Sequence, residues 1–90
     1  MDLQLVGKRA LVTGSTAGIG FAAAAGLYRE GASVVVNGRT PQRVEEAVGR
    51  LRGLPTIGTP EVIGIAADLS TAEGTAELVR QLTEVNAPTA

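Results

Sequence analysis

Apolar positions along this chain follow two alternating rhythms. Arg9-Ala10-Leu11-Val12-Thr13 is a short, mostly apolar run closed by Gly14, and it predicts a strand over about residues 9–13. Small and apolar residues then run from Gly18 to Leu27 and stop at Glu30-Gly31, which predicts a helix over about 18–30. Ala32-Ser33-Val34-Val35-Val36-Asn37 is rich in β-branched residues and bounded by Gly38, a second strand over about 32–37. Thr40-Pro41 reads as an N-cap followed by proline at the first helical position, where a missing N–H costs nothing. Val44, Ala47, Val48 and Leu51 then fall on one face, giving a helix over about 41–52 that ends near Gly53. Its Glu46 precedes Arg50 by one turn, the spacing of an exposed ion pair.

The third cycle follows a loop. Gly53 to Pro60 holds two prolines and two glycines. Val62-Ile63-Gly64-Ile65-Ala66-Ala67 is apolar throughout and predicts a strand over about 61–67, covered on both faces. Ser70-Thr71-Ala72-Glu73 has the form of a capping box, with Thr75, Leu78, Val79 and Leu82 as the inner stripe of a helix over about 71–84. Asn86 to Ala90 carries no further element signal, and neither repeats nor low-complexity segments interrupt the pattern.

Three strand–helix units in succession imply right-handed crossovers and a parallel α/β sheet of order 3-2-1. In a complete doubly wound sheet the first strand is central. Here nothing in the sequence pairs with its other edge, so residues 1–90 are expected to form a truncated domain. The unpaired edge, carrying Ala10, Leu11 and Val12, is expected to promote self-association.

The chemistry concentrates in Thr13-Gly14-Ser15-Thr16-Ala17-Gly18-Ile19-Gly20, between the first strand and the first helix. Gly14 permits a turn with positive φ, Gly18 lets backbone approach a pyrophosphate, and Gly20 lets the helix pack closely. The free N–H groups of the helix start face an anion there. The spacing is G-x-x-x-G-x-G; no Lys-Ser/Thr follows the glycines, so it is not a P-loop.

Composition narrows the classes that remain. Ninety residues make at most one small domain, and with no cysteine and no histidine neither a disulfide framework nor a zinc site is expected. A net charge of −1 and only two aromatics, Phe21 and Tyr28, leave no basic stacking surface for nucleic acid. Met1-Asp2-Leu3-Gln4-Leu5 has an acid where a signal peptide needs positive charge, and no apolar stretch is long enough to cross a bilayer. The expectation is a cytoplasmic protein that binds neither membrane nor nucleic acid.

Gly7-Lys8-Arg9-Ala10-Leu11-Val12-Thr13-Gly14 with Gly18-Ile19-Gly20 resembles the opening of the short-chain dehydrogenase/reductase family, and the likeness continues through Asn37-Gly38-Arg39 and Asp68-Leu69. The resemblance implies a partial Rossmann fold, a nicotinamide dinucleotide cofactor and carbonyl/alcohol redox chemistry. On it, Gly14, Ser15, Thr16, Gly18, Ile19 and Gly20 hold the phosphates. Asp68 holds the adenine amino group, and the Leu69 backbone N–H meets a ring nitrogen.

The end of the second strand discriminates between dinucleotides. An acid there accepts hydrogen bonds from a ribose 2′-OH and repels a 2′-phosphate. Gly38 stands where NAD-preferring members of that family carry Asp. Arg39 offers a planar fork suited to a phosphate, with Thr40 beside it, so NADP(H) is favoured over NAD(H). Ala17 occupies a position that is basic in many NADP-preferring members, which leaves the preference on Arg39.

The family's Tyr-x-x-x-Lys pair cannot be assembled here. Tyr28 is the only tyrosine, and Ala32 stands four residues on; the only lysine is Lys8. Tyr28 is expected at the periphery of the sheet, and no catalytic residue is assigned. Three functions are consistent with this: the NADP(H)-binding N-terminal part of an oxidoreductase, a non-catalytic nucleotide-binding module or inactive truncated product, and a scaffold piece whose open edge pairs with another chain. The intact glycine turn with Arg39 and Asp68 disfavours the last.

Overall fold

A computed structural model describes residues 6–85; the expectations for Met1–Leu5 and Asn86–Ala90 lie outside the described residues. The element order is β1 (Arg9–Val12), α1 (Gly18–Arg29), β2 (Ser33–Gly38), α2 (Pro41–Arg52), β3 (Val62–Ala66) and α3 (Ala72–Val85). All three strands are parallel, in the order β1-β2-β3, with Leu11 opposite Val35 and Val35 opposite Ile63. This is the α/β, Rossmann-like arrangement that alternating strand and helix signals imply.

Alternation along β2 divides the core. Val34 and Val36 face one way, into a cluster with Ala24, Ala25 and Tyr28 of α1, Val44, Ala47, Val48 and Leu51 of α2, and Val62. Val35 faces the other way and packs with Ile65, Ala67, Leu78 and the partly buried Leu82. Two helices therefore cover one face of the sheet, and α3 alone covers the other.

Both α2 and the end of α1 follow their sequence signals. Thr40 caps α2 by accepting from the Arg43 N–H at 3.3 Å, with proline at the helix start. At the end of α1, the Gly31 N–H donates to the Tyr28 carbonyl and the Ala32 N–H to the Leu27 carbonyl, the paired bonds of a Schellman stop.

The structure corrects four expectations of packing. Tyr28 lies in the core, 6% exposed, rather than at the sheet's periphery, because α1 lays its last turn over Val34 and Val62. Arg50 does not pair with Glu46; its guanidinium lies 4.1 Å from the Phe21 ring centroid and joins α2 to α1. Strand β3 is only partly covered: Val62 and Ile65 are buried, Ile63 and Ala66 half-buried, and Gly64 exposed, since β3 ends the sheet. The inner stripe of α3 narrows to Leu78 and Leu82, while Thr75 and Val79 face outward.

Candidate functional site

The strands' carboxyl ends meet around one cavity of about 550 Å³, lined by residues of the glycine turn, the end of β2, the start of α2 and the segment after β3. A parallel sheet places its ligand there, because every strand-to-helix turn opens on the same side. Gly14, Thr16, Arg39, Thr40, Asp68 and Leu69 line the cavity. Ser15, Gly18, Ile19 and Gly20 do not.

The turn's shape explains that division. Gly14 has φ 58° and Gly18 φ 60°, a backbone region that disfavours other residues. Gly20 has a different reason to be glycine than close packing on the sheet: a Cβ there would overlap the Gly14 carbonyl oxygen and come within 3.0 Å of Ser15 Cα. The start of α1 thus rests on the turn's own backbone. Its N-cap, Ala17, supplies no side-chain hydrogen bond, and its first turn holds no acid, so no side chain caps the helix's positive end. Ile19 is 91% exposed there.

Ser15 faces inward. It is fully buried, and its hydroxyl donates to the Val12 carbonyl at 2.5 Å and accepts from the Asn37 N–H at 3.0 Å. Asn37 completes the network: its Oδ1 accepts from the Gly14 N–H at 3.3 Å, and its Nδ2 donates to the carbonyls of Ile65 at 3.2 Å and Ala67 at 3.4 Å. One buried amide thus holds the turn, β2 and β3 together. Its sequence signal was a lone polar residue at the end of a β-branched run.

Asp68 is also placed differently from the capping-box expectation. Thr71, not Ser70, caps α3, accepting from the Gly74 N–H at 2.9 Å. Ser70 instead donates its N–H at 2.9 Å and its hydroxyl at 2.7 Å to Asp68 Oδ1. The helix starts one residue later than a Ser70 cap requires, because Ser70 turns back onto the acid. These two bonds, with the field of Arg39, hold the Asp68 carboxyl below the usual carboxylate range.

Arg43 was not anticipated as a site residue, yet it lines the cavity with Arg39. It follows Arg39 by four residues, just past the Thr40 cap, so the first turn of α2 brings its side chain to the same opening.

Residues 8–87 match the short chain dehydrogenase family. The chain belongs to that family. It is 44% identical over 85 residues to the uncharacterized oxidoreductase YvrD of Bacillus subtilis, a match covering 94% of this chain and 30% of that protein. The L-sorbose reductase of Gluconobacter frateurii, solved with NADPH and L-sorbose, superposes with a TM-score of 0.81 at 36% identity, over 93% of this chain and 31% of the reductase. The RhlG/NADP active-site complex of Pseudomonas aeruginosa gives 0.80 at 34% identity, over 91% and 31%. This short chain dehydrogenase sequence thus spans about a third of the length of such relatives. Among the described residues no helix is long and apolar enough to cross a membrane.

Two measurements probe the site's framework. Asn37→Leu should destabilise the chain by about 2–4 kcal/mol, since it leaves the Gly14 N–H and the buried Ile65 and Ala67 carbonyls without this partner. Urea unfolding checks this, and a loss below about 0.5 kcal/mol would show that the network holds nothing. For Asp68, a folded pKa below the unfolded value means stability that is present above the unfolded pKa and lost as pH falls through the folded one. Ser70→Ala should raise the Asp68 titration midpoint in NMR; an unchanged midpoint would rule out the hydroxyl as its cause.

Proposed function

We propose that this chain is the NADP(H)-binding N-terminal part of an oxidoreductase acting on carbonyl or alcohol substrates. The observation that carries the reading is that two arginines, Arg39 and Arg43, share one cavity on the carboxyl edge of the sheet with Gly14 and Thr16 of the turn that leads into the uncapped start of α1. The α1 N–H groups suit the pyrophosphate, and the arginines suit a 2′-phosphate through charge-assisted bonds. Gly38 brings no acid to repel that phosphate. Asp68 and Leu69, after β3, line the same cavity and suit an adenine, Asp68 through the oxygen Ser70 leaves unbonded. Thr16 and Thr40 complete the polar wall. Family membership and the NADPH- and NADP-bound neighbours support the same assignment.

The dinucleotide, when bound, supplies or accepts the hydride. The residues of this chain bind and orient its adenosine half. Proton transfer needs a Tyr-x-x-x-Lys pair, and these 90 residues contain no such motif. On this reading the substrate is recognised by residues outside the sequence.

Calorimetric titration tests the cofactor assignment. Because the adenosine side carries the affinity, 2′,5′-ADP should bind nearly as well as NADPH. Arg39→Ala should weaken both by about 10–150-fold, on the order of 1.5–3 kcal/mol for one charge-assisted contact, and leave NADH binding almost unchanged. Equal weakening of NADH would make Arg39 structural and end the NADP assignment.

We also propose that β1 is a pairing edge. It borders the sheet, and Leu11 is 40% exposed on the face that α3 leaves partly open. Light scattering of the 90-residue chain should give a mass above the monomer's 9.1 kDa. A monodisperse monomer with a sharp melt would refute the pairing.

A further inference from the structure

Gly38 ends β2, lies buried, and accepts the Ala67 N–H at 2.9 Å. A Cβ at this position would overlap the Thr16 methyl carbon, Cγ2, and stand 3.1 Å from Val44 Cγ2. Thr16 itself is half-buried and lines the same cavity as Arg39. The methyl therefore fills the space in which any side chain at position 38 must begin. The glycine turn and the end of β2 interlock across the mouth of the site.

This contact bears on charge as well as shape. An acid at position 38 would sit beside Arg39 and would accept from a free ribose 2′-OH while repelling a 2′-phosphate. Thr16 is β-branched, so two of its three staggered γ positions carry heavy atoms, and a simple rotation tends to replace methyl by hydroxyl. Truncation to alanine removes both atoms, and the remaining Thr16 Cβ would stand 3.5 Å from the new Cβ, an ordinary contact. The severe overlap is thus set at position 16, while Val44 Cγ2, 3.1 Å from the new Cβ, need give only a few tenths of an ångström.

We propose that Thr16 is a specificity-determining residue of this dinucleotide site: its methyl excludes an acidic side chain from the end of β2, so that Arg39 is the first charged group a ribose 2′ substituent meets. The inference rests on the NADP(H) reading given above and deepens it. Discrimination between the two dinucleotides then belongs to a pair of positions, 16 and 38, rather than to the end of β2 alone.

Four forms of the 90-residue chain test it: the wild type, Thr16→Ala, Gly38→Asp, and the double variant. Each is melted and titrated calorimetrically with 2′,5′-ADP and with 5′-ADP. Gly38→Asp alone should lower the melting temperature and lose 2′,5′-ADP without gaining 5′-ADP. Adding Thr16→Ala should recover much of the melting temperature and turn the preference toward 5′-ADP by at least about tenfold. The ligand ratio is the readout that a purely structural role for Thr16 would not move. If Gly38→Asp alone inverts the preference, and Thr16→Ala adds nothing to it, the inference is wrong. Should Gly38→Asp fail to fold, Gly38→Ala carries the same Cβ; its melting temperature must then be restored by Thr16→Ala, and no restoration overturns the proposal. A wild type that treats the two ligands alike sinks the NADP(H) reading and this inference together. A wild type that prefers 2′,5′-ADP, with no coupling between positions 16 and 38, sinks this inference only.

Discussion

The buried exchange of hydrogen bonds between Ser15 and Asn37 is the constraint on which the rest of the molecule depends. Ser15 donates its backbone N–H to the Asn37 carbonyl at 2.8 Å and receives the Asn37 N–H on its hydroxyl. Both residues are at least 98% buried by side-chain and backbone together, at 0% and 2% exposure. Removing a partner from such a pair would leave polar groups without water or protein to satisfy them. The exchange fixes the glycine turn against β2, and the Asn37 amide fixes β2 against the far end of β3. With the strands' ends pinned, Thr16, Arg39 and Asp68 stand around a single opening although 52 residues separate the first from the last.

From that anchor the division of labour follows. Ser15 is consumed by the scaffold, so among the turn's side chains it is Thr16 that lines the cavity. Gly20 allows α1 to begin directly on the turn, which aims the helix's positive end at the space above it. Asp68 is held by Ser70 in a local turn instead of being spent on capping, since Thr71 takes that role. The cavity is polar where its neighbours in sequence are polar and charged where α2 begins.

Much of this was legible from residue order. The β-branched run from Val34 to Val36 and the stripe of Val44, Ala47, Val48 and Leu51 name their elements unaided, because burial on a fixed period is a local property. The glycine turn was legible for a similar reason, as the positive φ of Gly14 is written into residue type, whereas the positive φ of Gly18 is a further feature of the turn. What the sequence concealed was directional. Whether Ser15 turns inward or outward depends on Asn37, which is 22 residues away. Thr71 rather than Ser70 caps α3 because a neighbouring acid competes for Ser70. Arg43 reaches the cavity only because α2 starts where it does. The outward positions of Thr75 and Val79 follow from how little of the second face α3 covers, a quantity no local pattern carries.

The reach of the Asn37 side chain also sets a timetable. Its two carbonyl partners, Ile65 in β3 and Ala67 just after it, lie 28 and 30 residues further along the chain. A nascent chain that has emerged only through β2 can close the glycine turn on Ser15, but it has nothing to hold the other end of the amide. Long-range closure of this kind is entropically late, since the intervening loop must be ordered first. Synthesis therefore finishes the glycine turn in two stages, first its shape and then its rigidity. A ligand present during translation would meet a competent site only after β3 had docked.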